Sequence, residues 1–308
     1  MGQIVMKNPK PPPGFYYCPS GYQGRAASIV VSGTPVKRPW GYVYDPKAKV
    51  SPGEVPPIIY GPSQGMDYEV EFSAVIGRPL PLGKGLNAVD ADAHIFGFVL
   101  LNDWSGEFMG NLTANAQRLL TFIAVRDVQA IEMRALGPLN SKNVTTTISP
   151  WIITLEALEP FVMRGPAREK QAAPYMNDPE EKTYNVDITV DLTPKGASKA
   201  TVIAKCQLQH VYWSSRQMVA HIVAGGASLR SGDILATGTC SGPEQDTFGC
   251  LMETTHGGTK PVVLNEGGSR AFIDDGDVIR MTAIAGGDSS GVGFGECVGT
   301  LLPADTSK

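Results

Sequence analysis

The sequence predicts a mainly β protein with a few short helices, and three observations carry that expectation. Glycine (35) and proline (24) make up roughly a fifth of the 308 residues, and helix interiors exclude both while tight turns use both. Apolar and polar residues alternate over 66–76, 185–192 and 200–207, the period of a strand with one buried face. Helical periodicity is confined to short runs. The best is 212–223, closed by Gly225-Gly226 as a C-terminal stop.

Taken in order, residues 1–20 show no strand pattern, and the proline-rich run at 7–14 reads as an extended arm. A short apolar strand is expected over 26–31, ended by the turn signal Ser32-Gly33. The Pro- and Gly-rich stretch 39–65 reads as a long surface loop. After the strand at 66–76, a short helix at 88–94 feeds the apolar run 95–101. Strands follow at 185–192, 200–207 and 234–239, and Asp274-Asp275-Gly276-Asp277 turns the chain into a strand at 278–283. No internal repeat and no low-complexity tract interrupts this pattern.

Several function classes fall away at once. With 26 Lys+Arg against 30 Asp+Glu, the net charge of −4 offers no general basic field, so nucleic acid and anionic membrane are poor partners. No run of 18 apolar residues is present to span a bilayer. Cys18, Cys206, Cys240, Cys250 and Cys297 are odd in number and form no CxxC pair, which argues against zinc ribbons and fits a reduced, cytoplasmic setting. His94 and His221 lie in apolar, helix-like surroundings that favour structural imidazoles. No Ser-His-Asp order, GxSxG or nucleotide-binding glycine loop stands out.

The most informative segment is Asp67-Tyr68-Glu69-Val70-Glu71-Phe72. Strand alternation sends Glu69 and Glu71 to one face and Val70 and Phe72 to the core. Two neighbouring carboxylates repel, so they stay ionised only with a cation between them; otherwise one pKa rises. The alternative is a solvated strand face. Asp103 ends the buried apolar run in Asn102-Asp103-Trp104-Ser105 and adds a third carboxylate. Three carboxylates without paired His or Cys suit a hard ion, Mg²⁺ or Ca²⁺, better than zinc. Lys142, Thr239 and Glu253 are compatible with an oxygen-rich substrate. Taken singly they are an ordinary surface lysine, turn threonine and rim glutamate, and they carry weight only as a group.

These residues sit inside a longer set of ordered motifs. Gly21-Tyr22-Gln23-Gly24-Arg25-Ala26-Ala27-Ser28, running on to Val30-Val31-Ser32-Gly33-Thr34-Pro35, resembles a signature of the fumarylacetoacetate hydrolase family. So do Glu69 and Glu71, His94-Ile95-Phe96-Gly97, Asn102-Asp103-Trp104-Ser105, Leu136-Gly137-Pro138, Ser149-Pro150-Trp151, the stretch 238–244 and Gly293-Phe294-Gly295-Glu296-Cys297. The matches run from about residue 19 to the C-terminus, giving an arm at 1–18 and one catalytic domain over 19–308. The resemblance implies a mixed β-sandwich roll acting as a homodimer. It also implies hydrolysis of a carbon–carbon bond in a small β-diketo acid, at the end of tyrosine and phenylalanine breakdown. By the same resemblance Glu69, Glu71 and Asp103 bind Mg²⁺ or Ca²⁺, and Thr146 sits in a second-ion region. Lys142 adds positive charge, and Tyr22, Gln129 and Thr239 contact substrate. Glu253 orients the base and its water.

The sequence also departs from the family pattern. No residue matches the family's further metal aspartate or its catalytic histidine, which lie upstream together with a smaller N-terminal domain. Hydrolysis by this polypeptide is therefore expected to be weak, since such a base contributes roughly 10²–10⁴-fold. An inactive metal-binding paralogue, or a sister activity on acylpyruvates or oxaloacetate, are the alternatives. Met133 stands where the family has a substrate-touching tyrosine. Residues 106–125 separate Asn102-Asp103-Trp104-Ser105 from Arg126-Asp127-Val128-Gln129, where the family has a single residue. A translated intron would account for this insertion. A partly helical insert with apolar face Leu119, Leu120 and Ile123 is the rival reading.

Overall fold

A computed structural model describes residues 13–45, 47–49, 51, 56–107 and 140–306. Eighteen strands dominate these residues. In chain order the first nine are β1 (Ile29–Val31), β2 (Val36–Lys37), β3 (Trp40–Tyr44), β4 (Ile58–Pro62), β5 (Gly65–Asp67), β6 (Val70–Ile76), β7 (Ile95–Glu107), β8 (Thr145–Ile148) and β9 (Ile153–Thr154). They are followed by β10 (Val162–Arg164), β11 (Lys182–Tyr184), β12 (Val186–Thr193), β13 (Thr201–Gln207), β14 (Ile234–Ala236), β15 (Val262–Val263), β16 (Ser269–Arg270), β17 (Val278–Ala285) and β18 (Val292–Leu302). The α-helices are short: α1 (Leu155–Leu158), α2 (Ser215–Ile222) and α3 (Leu251–Thr254).

Two mixed sheets form the sandwich. The first runs β1-β8-β7-β6-β14, with β5 and β9 also paired to β7, and the second runs β13-β12-β17-β18-β2. The β1–β8 and β18–β2 pairs are parallel; the other pairs of these two sheets are antiparallel. Alternation explains the packing. Val70, Phe72, Ala74 and Ile76 of β6 and Phe98, Leu100 and Trp104 of β7 turn inward to meet Ile188, Val190, Met281 and Phe294 of the opposite sheet. Phe72 stacks on Phe98 at 4.7 Å and meets Phe294 edge-on at 5.4 Å. The sheets approach so closely at Gly299 that a Cβ there would lie 2.5 Å from the Trp104 ring.

The expected order of elements agrees with this architecture, with corrections. The 39–65 stretch is not simply a loop, because Trp40–Tyr44 and Ile58–Pro62 pair as an antiparallel hairpin. Its aromatic and β-branched residues outweigh the nearby prolines and glycines. The strand expected over 66–76 breaks at Tyr68-Glu69, and that over 234–239 ends at Ala236. The helix expected at 212–223 begins at Ser215, where Ser214 and Gln217 form a capping box. Residues 88–94 give a 3₁₀ turn, Ala88–Ala93. Of the expected insertion, Gly106 and Glu107 continue β7 opposite Met66 and Gly65. Its residues 108–125, together with Gln129 and Met133, lie outside the described residues.

Candidate metal centre and surrounding site

The site is assembled by neighbouring strands of the first sheet. β5 and β6 keep one register against β7, with Asp67 opposite Ser105 and Val70 opposite Asn102. Glu69 therefore stands across from Asp103, whose N–H donates to the Glu69 carbonyl at 3.2 Å. The Asn102 side chain accepts the Glu69 N–H at 3.2 Å. On the next strand Thr146 is the register partner of Asp103, so both side chains share a face. This face lies opposite the one carrying Phe72 and Trp104, as the alternation in the sequence requires.

The three carboxylates meet there. Glu69, Glu71 and Asp103 are 4, 5 and 2 % exposed, and each offers an oxygen within 4.8 Å of the others. Lys142 ends the turn Asn140–Lys142 just before β8 and is itself buried. Its ammonium donates to Glu69 Oε2, to Asp103 Oδ2 at 2.6 Å and to Ser105 Oγ at 2.8 Å. The surface lysine of the residue-by-residue reading is thus the counter-charge of the cluster. Tyr22, in the segment leading to β1, donates its hydroxyl to Asp103 Oδ2. Its ring lies 5.7 Å from the Lys142 nitrogen.

Charge arithmetic shows what the cluster can hold. Three ionised carboxylates and one ammonium leave two negative charges, the complement of a divalent cation. Without such a cation, burial together with the Asp103 charge pushes the Glu71 carboxyl up to about 8; Lys142 and the Gly238 N–H oppose the rise. Asp103 Oδ1 is buried with no hydrogen-bond partner among the described residues, a costly state for a carboxylate oxygen. An all-oxygen donor set with an unsatisfied buried oxygen fits a hard divalent ion.

Thr239 follows the edge strand β14, and Glu253 lies in the short helix α3. Beyond β14 the chain keeps bonding to β6: Thr237 N–H donates to the Phe72 carbonyl at 3.1 Å and Cys240 N–H to the Val70 carbonyl at 2.7 Å. Thr239 lies between them, beside the Gly238 N–H that reaches Glu71. Glu253 sits in α3 and is 1 % exposed, a buried acid where the sequence suggested a rim glutamate. Ser241 donates to its Oε2 and accepts the Gly249 N–H at 3.0 Å.

One structural residue escaped the sequence reading. Asp67, fully buried, accepts the Leu251 and Met252 N–H groups at 2.8 and 2.9 Å and the Tyr68 N–H at 2.8 Å. It caps the helix that carries Glu253 and lies two residues before Glu69. The only signal in the sequence was its place in the same acidic segment, because its partners are 184 and 185 residues away. Three of the four histidines are engaged elsewhere. His94 Nδ1 lies 2.9 Å from the Arg78 carbonyl oxygen, His221 Nδ1 2.8 Å from the Tyr175 hydroxyl, and His210 Nε2 3.2 Å from Gln207 Oε1.

Comparison with known proteins identifies the family. Residues 4–301 match the family described as fumarylacetoacetate (FAA) hydrolase C-terminal. The chain is 40 % identical over 292 residues to the fumarylacetoacetase of Arabidopsis thaliana, covering 95 % of this chain and 63 % of that protein. It is 37 % identical over 292 residues to the fumarylacetoacetase of Homo sapiens, covering 95 % and 64 %. The chain thus spans a little under two thirds of the length of these relatives. Among solved structures, yeast ynq8, a fumarylacetoacetate hydrolase family protein, shares the fold. Its TM-score is 0.50 at 12 % identity, covering 93 % of this chain and 86 % of that one. No helix among the described residues is long and apolar enough to cross a membrane. By its sequence, its two-sheet architecture and its buried acidic cluster, the chain belongs to the fumarylacetoacetate hydrolase family and matches that family's C-terminal domain.

Proposed function

We propose that the chain is the catalytic domain of a metal-dependent carbon–carbon hydrolase that converts fumarylacetoacetate to fumarate and acetoacetate, closing tyrosine and phenylalanine catabolism. The observation that carries this reading is the buried trio Glu69, Glu71 and Asp103 with Lys142, in a chain resembling fumarylacetoacetases over 95 % of its length. The trio would hold Mg²⁺ or Ca²⁺, with Thr146 in a second-ion region. Bound there, the ion supplies Lewis acidity toward the oxygens of a β-diketone.

The remaining roles belong to the chain. Lys142 presents a fixed positive charge at the edge of the cluster, where oxyanion character develops as the bond breaks. Tyr22, whose hydroxyl bonds to Asp103, and Thr239, next in the chain to the Gly238 N–H that bonds to Glu71, are assigned to substrate together with Gln129. Glu253, held by Ser241, is assigned to orienting the attacking water. Water adds across the bond: its hydroxyl joins the acyl carbon that becomes fumarate, and its proton goes to the carbon that becomes acetoacetate. A homodimer in a reducing cytoplasm completes the proposal, in keeping with five free thiols.

The test is absorbance loss of fresh fumarylacetoacetate with the 308-residue protein and added Mg²⁺ or Ca²⁺. Metal-dependent cleavage is expected, roughly 10²–10⁴-fold slower than with a full-length relative, because no described histidine stands at the trio to activate water. Faster metal-dependent cleavage of an acylpyruvate or oxaloacetate would overturn the substrate assignment. Metal binding by a folded protein with no cleavage of any of these would overturn the enzymatic reading in favour of a binding paralogue.

A further inference from the structure

We infer that Tyr22 is a positioning residue of the cation site, acting through Asp103 in addition to any contact with substrate. The two oxygens of Asp103 are treated differently by the fold. Oδ2 accepts both the Tyr22 hydroxyl and the Lys142 ammonium, while Oδ1, equally buried, has no partner among the described residues. Two donors on one oxygen fix the carboxylate plane and reserve the other oxygen for a ligand that the protein does not itself provide. Lys142 alone would not do this, since its ammonium is shared with Glu69 and Ser105. Carboxylates that hold metals are commonly oriented by such outer hydrogen bonds, and removing one typically lowers metal affinity about 10–100-fold.

Tyr22 suits this role and also makes it testable. It is 43 % exposed, so Tyr22→Phe is expected to fold, and its ring stays beside Lys142 while only the hydroxyl is lost. The inference rests on the cation site proposed above, and the experiment separates the two. Ca²⁺ is titrated calorimetrically into the 308-residue protein, wild type and Tyr22→Phe, with melting of both recorded in chelator. The expected result is about tenfold weaker Ca²⁺ binding by the variant, the lower end of that range because Tyr22 is partly exposed, with matching metal-free melting temperatures. Equal affinities within twofold would overturn the inference and leave the cation site standing. Absence of Ca²⁺ binding by the wild type would overturn both. A second variant, Tyr22→Leu, removes ring and hydroxyl together and is expected to match Tyr22→Phe. A tenfold loss in Tyr22→Leu with wild-type affinity in Tyr22→Phe would assign the effect to the ring over Lys142 and overturn the role given to the hydroxyl.

Discussion

Replacing Lys142 by Met tests the balance of charge at the site. The ammonium is almost fully buried and bonds to two carboxylates and a serine. Its loss leaves acids whose oxygens lie within 4.8 Å of one another without their counter-charge. At an effective dielectric of about 20, each ionised pair at that separation repels by about 3.5 kcal/mol, and proton uptake relieves part of it. Removing one partner of a buried ion pair costs about 3–5 kcal/mol in other proteins. Lys142→Met is therefore expected to destabilise the metal-free protein by about 3–5 kcal/mol, a fall of roughly 10 °C in melting temperature. Calcium at about one hundred times its dissociation constant should return about 2.7 kcal/mol. The assay is urea and thermal unfolding in chelator and in Ca²⁺. A loss below about 1 kcal/mol in chelator, or no recovery with Ca²⁺, would refute the reasoning.

Other parts of the structure make separate predictions. Asp67→Ala should cost about 2–4 kcal/mol, since three buried N–H groups lose their acceptor; urea unfolding and amide exchange over 251–255 would report it. Gly299→Ala drives a methyl group into the Trp104 ring and should cost about 1–3 kcal/mol by overpacking, read as a lower urea midpoint. Burial raises the Asp92 pKa, but hydrogen bonds from Arg216 and Lys182 outweigh it and hold the carboxyl below its ordinary 3.8. The stability this adds is present above that ordinary value and lost as pH falls through the lower folded value. The drop in urea midpoint between mildly acid and strongly acid solution should thus shrink in Arg216→Met. Sequencing the spliced transcript tests the origin of 106–125: a message retaining all twenty codons would count against an intron.

Much of this site was legible in the sequence because strand alternation is a local rule. It put Glu69 and Glu71 on one face and Val70 and Phe72 in the core, and the structure agrees. That Asp103 joins them was not local. It depends on β7 pairing with β5 and β6 in a register that sets residue 69 across from 103, and on β8 bringing Thr146 opposite Asp103. Lys142 and Glu253 look like surface residues when read singly, because nothing nearby in the chain tells that their side chains are buried. The β3–β4 hairpin was hidden by the prolines and glycines around it. Asp67 was missed for the same reason as the register: a cap formed by residues 184 positions apart leaves no periodic trace.

In the proposed function, Glu69, Glu71 and Asp103 together hold one divalent cation. Calorimetric titration of Ca²⁺ and Mg²⁺ into the metal-free 308-residue protein, beside Glu69→Gln/Glu71→Gln, tests it most directly. A single saturable site is expected in the wild type, weaker than a four-carboxylate site, and no binding in the variant. An unchanged titration in a folded variant would contradict it.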